Sequence, residues 1–332
     1  MTERKGNQDV YGFYNLGPLI ENTLLADSEN YRQIRFDQAD LRNRIVLETW
    51  GAEGDRQILL HPSTACYCLR WAGYEVLSDQ KKFVPRPLEP EVEIILLMGS
   101  AAHSFLQRRL RLTGAVFEKS FKSEYAHLSG RLDMLLPHPI SGELAVIDYK
   151  FVSNFAFSRQ INREGLPDYM RSSKGIYVPK AEHRRQLHMY MWAMSEQGVE
   201  ITYGQVIYFN RDNGKRKDTI IMWDPEARYD AGLLIEKVRE AARRVEKGEL
   251  PDPSVDEQYV CAKICPFLGY CEEGQRFARE GIKKARKSPR PAWIKAKARE
   301  HHAQIRQQME SRGQVQPSFL DSNGQIRPEL LE

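Results

Sequence analysis

The five cysteines of the chain fall in two groups. Cys66 and Cys68 lie in STACYCLRW, and Cys261, Cys265 and Cys271 lie in VCAKICPFLGYCEEG, with none between. The late group has Cys-x3-Cys-x5-Cys spacing, which lets thiolates from one tight turn converge, and one early thiolate would complete a four-cysteine site. Such a site pins the C-terminal segment to the N-terminal helix, closes a very long loop and lowers the entropy of the unfolded chain. Free cysteines also pack as small hydrophobes, but Pro266 and Gly269 within the late segment suit a metal knuckle better than a packed helix. The odd count, with no apolar h-region in MTERKGNQDV, argues against a disulfide framework and against export.

With 332 residues, 41% hydrophobic and 28% charged, the chain can bury a substantial core in one large or two small domains. Apolar runs such as Ile94 to Met98 are far short of the roughly 18 residues of a membrane span, so no membrane partner is expected. A cytoplasmic location is expected, or the host cytoplasm for a viral protein. The net charge of +4 (49 Lys+Arg against 45 Asp+Glu) hides an asymmetry. Residues 274–306 hold eleven Lys+Arg and two Asp+Glu, a local +9, which leaves 4 − 9 = −5 on the remainder. That stretch, with Phe277 and Trp293 interleaved and Pro289 and Pro291 interrupting it, suits phosphate contact and base stacking.

Four regions are expected: an N-terminal extension (1–60), a core (61–273), a basic helical arm (274–312) and a flexible tail (313–332). In the core, Pro62 and Ser63 open a helix with Ser63 as cap. A second helix spans 91–112, where Ile94, Leu97, Met98, Ala101 and Phe105 recur at helical steps. VFEKSFKSEY, LSGRLDMLL and ELAVIDYKFV are three strands of an antiparallel meander. Residues 153–180 are irregular, a candidate lid or substrate-binding segment carrying Asp168, Arg171 and Lys174. A helix over 181–197 carries His183 and His188 on its surface. Strands ITYGQVIYFN and DTIIMW, joined by DNGK, and a helix over 225–247 complete a mixed α/β fold around one sheet.

The strongest chemical signal is GRLDMLLPHPISGELAVIDYK. Asp148 and Lys150 share one strand face while Tyr149 points away, and two antiparallel strands can bring Asp133 beside Asp148. Two adjoining carboxylates repel unless a cation lies between them, and hard oxygen ligands favour Mg2+ or Mn2+. A neighbouring ammonium can orient an attacking water and stabilise negative charge at phosphorus. Asp-x-Lys is otherwise a common surface pair, but Asp148 follows the buried run Leu144-Ala145-Val146, where an uncompensated carboxylate is costly.

These residues resemble the PD-(D/E)XK nuclease superfamily, and within it the RecB-like branch with a four-cysteine iron-sulfur cluster, which includes the helicase-nuclease AddB and the CRISPR-adaptation exonucleases. The resemblance runs from Pro62 to Cys271. Gly99-x3-His103 resembles the helical histidine motif, and Gly130-Arg131-Leu132-Asp133 the first acidic motif. Ile147-Asp148-Tyr149-Lys150 resembles the motif that names the superfamily, and Gln186-x3-Tyr190 its Q-x3-Y helix. Cys68, trailed by Arg70, resembles the first cluster ligand, with Cys66 as its substitute, and Cys261, Cys265 and Cys271 resemble the other three.

The resemblance implies a restriction-endonuclease-like core with a central mixed sheet, closed by the cysteine cluster. His103, Asp133, Asp148 and the Tyr149 backbone carbonyl would hold Mg2+ or Mn2+, with Lys150 positioning water. A 4Fe-4S cluster, or alternatively Zn2+, would occupy the cysteines. Gln186 and Tyr190 either contact DNA or lock their helix to the sheet. With Arg70, Lys283, Lys284, Arg286, Lys287 and Trp293 they form the candidate DNA-binding set. The implied activity is a DNA exonuclease on single strands or duplex ends in recombination, repair or mobile-element processing, with a helicase or recombinase as the kind of partner left open. An inactive DNA-binding or assembly module is the alternative, and RNA is a chemically similar substrate.

Overall fold

The computed structural model describes residues 57–79, 83–86, 90–110, 115–137, 144–161, 176–281 and 291–311. Nearly all of the expected N-terminal extension, the tail, Asp168, Arg171 and Lys174, and the basic residues Lys283, Lys284, Arg286 and Lys287 lie outside the described residues.

The expected antiparallel meander is present: β1 (Val116–Ser123), β2 (Leu128–Pro137) and β3 (Leu144–Val152) pair in sequence order. Helix α5 (Ala181–Glu196) then carries the chain across to β5 (Ile201–Asn210), which lies parallel to β3. A parallel neighbour requires such a crossover. β5 turns at DNGK into antiparallel β6 (Arg216–Met222), and the two-residue β4 (Ile176–Tyr177) closes the order β1-β2-β3-β5-β6-β4. The segment expected to be irregular also contains α4 (Asn154–Arg159), capped by Ser153, whose hydroxyl accepts from the Ala156 amide.

Helices cover both sheet faces. On one, Val146, Val206 and Tyr208 pack with Leu187 and Met191 of α5 and with Ile235 and Val238 of α6 (Pro225–Glu246). Gly204 allows that approach, because a Cβ there would stand 2.7 Å from Leu187 Cδ2 and 2.8 Å from Met191 Sδ. On the other face, Ile147, Tyr149 and Ile207 pack with Leu106 and Leu110, at the end of α3 (Pro90–Arg109). Central strands covered on both faces carry continuous apolar runs rather than alternation, as Leu144–Ile147 of β3 does.

Three helices differ from expectation. The first is split into α1 (Pro62–Ala65) and α2 (Leu69–Asp79). His61, not Ser63, is its N-cap residue, and Pro62 takes the first helical position, where a missing N–H goes unnoticed. In α3 the periodic face is not core: Ile94, Leu97 and Met98 are exposed, because only the C-terminal turns reach the sheet. In α5, His183 and His188 are buried rather than on the surface, since α5 is packed between the sheet and α6. After α7 (Glu272–Glu280), α8 (Ala292–Ser311) packs beside α6 with Ile294 and Ala298 buried, so this part of the basic region is docked on the fold. Among the described residues no helix is long and apolar enough to cross a membrane.

Candidate active site

The β2–β3 ladder runs from Pro137↔Leu144 to Met134↔Ile147 and stops one step short of Asp133 and Asp148. Facing carboxylates disfavour continued pairing. Asp133 Oδ2 instead accepts a hydrogen bond from the Tyr149 amide at 2.8 Å. Asp148 is 1% exposed, with Oδ1 accepting from Lys150 Nζ at 3.0 Å and Oδ2 2.8 Å from the same nitrogen. From α3, His103 brings Nδ1 to 3.5 Å from Asp133 Oδ2 and sets its ring edge-on to Tyr149.

Electrostatics separates the two carboxyls. Burial pushes Asp148 up to about 6, more than the Lys150 ammonium offsets, with Asp133 adding repulsion. Burial also acts on Asp133, but the bond with His103, the charge of Lys150 and the Tyr149 amide hold it below the usual carboxylate range. His103 is correspondingly raised: burial opposes its charge, and Asp133 outweighs burial. Burial would lower Lys150, yet the two aspartates hold it above an ordinary lysine. Lys150 is therefore a firm cation, suited to donating hydrogen bonds rather than to accepting a proton.

His103, Asp133, Tyr149, Lys150, Gln186 and Tyr190 all line one cleft of about 1550 Å³. Gln186 Nε2 donates to Tyr190 Oη at 2.8 Å, both residues are buried, and the Tyr190 ring stands edge-on to Phe121 of β1. The pair thus ties α5 to the sheet while bordering the cleft. His183 also borders it, its Nδ1 2.8 Å from Tyr208 Oη. Burial first, then Lys150, Lys180 and Arg185, hold His183 well below an ordinary histidine. Its folded pKa lies under its unfolded value, so the unfolded chain gains the proton first and stability is lost as pH falls below about 6.5. His183→Gln is expected to flatten that acid limb, as measured by urea midpoints between neutral and mildly acidic pH.

Glu118 was not singled out by any motif. The β1–β2 register brackets it between Phe117↔Met134 and Lys119↔Leu132, directly across from Asp133. Its φ is +51°, a left-handed conformation that a non-glycine side chain adopts at a cost of roughly 1–3 kcal/mol. Its carboxylate accepts from Gln107, one turn beyond His103, and pairs with Arg131. Glu118 therefore fastens the histidine-bearing helix to the strand pair bearing Asp133. The strand changes sides here: Phe117 and Phe121 share a parity, yet pack against opposite faces of the sheet.

The cysteines divide at the break between α1 and α2. Cys66 enters the main core, and its Sγ donates to the Ser63 carbonyl at 3.4 Å. Cys68, Cys261, Cys265 and Cys271 line a second, small pocket. Around it Tyr74 stacks on Phe267 with centroids 5.2 Å apart, and its hydroxyl donates to the Tyr270 carbonyl. Burial, reinforced by the neighbouring cysteines, pushes Cys261 and Cys265 up to about 12. Thiols that repel one another's ionised forms are the donor set a cation would reconcile. Cys271 Sγ already accepts from the Gly274 amide at 3.2 Å and from Arg70 at 3.8 Å. Arg70, expected on DNA, is committed here, donating to the Pro251 carbonyl and pairing with Glu273. Trp293 remains exposed, with Lys297 over its ring.

Among the described residues no group of three or more His, Cys, Asp and Glu side chains is disposed to hold a metal ion as it stands. The donor chemistry nonetheless fits two kinds of group: hard carboxylates in the cleft and soft thiols in the second pocket.

The sequence profile of the PD-(D/E)XK nuclease superfamily matches residues 32–272, well over half of the chain. The chain belongs to the PD-(D/E)XK nuclease superfamily. The mixed sheet flanked by helices fits its restriction-endonuclease-like core. The superfamily consists mostly of nucleases, phosphodiester hydrolases that typically use Mg2+ or Mn2+, so a nucleic acid is the implied substrate. Among solved structures, one described as "Crystal structure of SSO0001" is similar, with 16% identity and a TM-score of 0.39, over 71% of this chain and 93% of that chain. No curated protein matches the chain.

Proposed function

We propose that this superfamily member is a metal-dependent deoxyribonuclease acting as an exonuclease on single strands or DNA ends, in recombination, repair or mobile-element processing beside a helicase or recombinase. The observation that carries the proposal is the meeting of Asp133, Asp148 and Lys150 where two paired strands part, with Asp133 and Lys150 lining an open cleft and Asp148 buried behind Lys150. A surface Asp-Lys pair would have no reason to be so deeply buried.

His103, Asp133, Asp148 and the Tyr149 carbonyl would hold the divalent ion. When bound, that ion supplies positive charge to the scissile phosphate and makes a water more acidic. Asp133 keeps its ionised form at neutral pH and fixes the Tyr149 backbone. Lys150, held cationic, orients the attacking water and offsets charge growing on the phosphate oxygens. Gln186 and Tyr190 keep α5 in register with Lys150. Cys68, Cys261, Cys265 and Cys271 would hold an iron-sulfur group, with Zn2+ as the alternative, in a structural role.

The test is incubation of anaerobically purified protein with end-labelled single- and double-stranded DNA in Mg2+, Mn2+ or EDTA. Short labelled products released from ends in either metal, and none in EDTA, are expected. Absence of cleavage in both metals, or cleavage undiminished by EDTA, rejects the proposal.

A further inference from the structure

Two phenylalanines in the same cleft leave much of their rings in solvent. α4 reads NFAFSR, and its two rings part company: Phe157 is buried, while Phe155 is 60% exposed. Leaving a phenyl ring in water forgoes the stabilisation its burial would give. On α3, Phe105 is 36% exposed although Leu106 beside it is buried. Both exposed rings line the cleft that holds Asp133 and Lys150. Each has a guanidinium over it, Arg159 at 5.4 Å from the Phe155 centroid and Arg109 at 5.5 Å from that of Phe105. Arg108, Arg131 and Arg211 border the same cleft.

A duplex presents phosphates and groove edges and keeps its base faces stacked inside. Exposed rings beside a phosphate-binding floor have nothing to meet on it. Unpaired nucleotides do offer π-faces, and stacking on an aromatic ring is indifferent to sequence. We infer that Phe155 and Phe105 are base-stacking platforms that select unpaired nucleotides for the cleft, while its arginines hold the backbone. This rests on the nuclease function proposed above and adds the residues by which single strands are distinguished.

The experiment compares binding, in EDTA so that nothing is cut, of a fluorescein-labelled oligothymidylate, an abasic phosphodiester oligomer of the same length, and a duplex. Wild type is expected to favour oligothymidylate over the abasic oligomer by about tenfold or more. Phe155→Ala weakens that preference severalfold and Phe105→Ala/Phe155→Ala removes it, both leaving abasic and duplex affinities and the salt dependence unchanged, since no charge is lost. Phe155→Trp retains the preference, and Phe155→Leu, apolar but without a π-face, weakens it as alanine does. Equal wild-type affinity for the two oligomers overturns the inference, as does equal weakening of all three probes by Phe155→Ala. If metal-dependent cleavage persists in either case, the nuclease function stands and the platforms alone fall. Wild type that neither binds any probe nor cleaves overturns both.

Discussion

Asp148→Ala and Lys150→Ala each abolish DNA cleavage, by roughly 10³-fold or more, which corresponds to about 4 kcal/mol of transition-state stabilisation. Asp148 is the more deeply placed, and its removal takes away both a metal ligand and the partner of Lys150. Lys150 borders the cleft and can turn toward its water when Asp148 is lost, so the variant is expected to fold and bind DNA. Replacing both, as Asp148→Asn/Lys150→Met, removes the buried pair without stranding either charge. That double variant is expected to melt no lower than wild type and still to cleave nothing. A folded, inactive double variant separates chemistry from stability in one preparation. Full cleavage by purified Asp148→Ala protein, assayed on end-labelled DNA, excludes the assignment.

Cys261→Ser and Cys271→Ser are expected to strip metal from the protein and to lower its stability by several kcal/mol, a large share of the roughly 5–15 kcal/mol that holds a domain together. The reason is where the thiols lie: they line the pocket inside a small apolar cluster that joins the two ends of the fold, beside the Tyr74–Phe267 stack, the Arg70–Glu273 pair and hydrogen bonds such as Arg86 N–H to the Pro266 carbonyl. Metal analysis, melting temperature and colour are the measurements: brown protein indicates iron-sulfur, and colourless protein with bound zinc indicates the alternative. Cys66→Ser is expected to leave the metal content unchanged, because Cys66 Sγ is turned into the main core. Wild-type metal content in Cys261→Ser rejects the site.

The strands bearing Asp133, Asp148 and Lys150 were legible because side-chain alternation in an extended chain is rigid, so two carboxylates and a lysine could be assigned to neighbouring positions without coordinates. The spacing of Cys68, Cys261, Cys265 and Cys271 shows only that they could meet; that they line one pocket comes from the packing of α2 against the late segment. Helix faces were less legible. Ile94, Leu97 and Met98 have ideal helical spacing yet are exposed, because spacing shows that a face exists and not that anything lies against it. His183 and His188 lie on helix faces that the fold buries, His183 against Tyr208 of β5 and His188 beside Trp223. Glu118 was invisible because its importance comes from a left-handed backbone and from partners on α3 and β2. Arg70 shows that a basic side chain near a nucleic-acid site can equally serve a sulfur and two carboxylates.

Tyr259 and Ile264, bracketing the turn that carries Cys261, also line the cleft, and the Tyr259 hydroxyl accepts from Lys180 Nζ at 3.2 Å. A nascent chain exposes Asp133, Asp148 and Lys150 from the ribosome more than a hundred residues before this last part of their cleft exists. At roughly 5–20 residues per second, that interval lasts about 5–20 seconds. A polypeptide stalled short of Tyr259 therefore carries the candidate site in a cleft still open on the side that the cysteine-bearing segment closes.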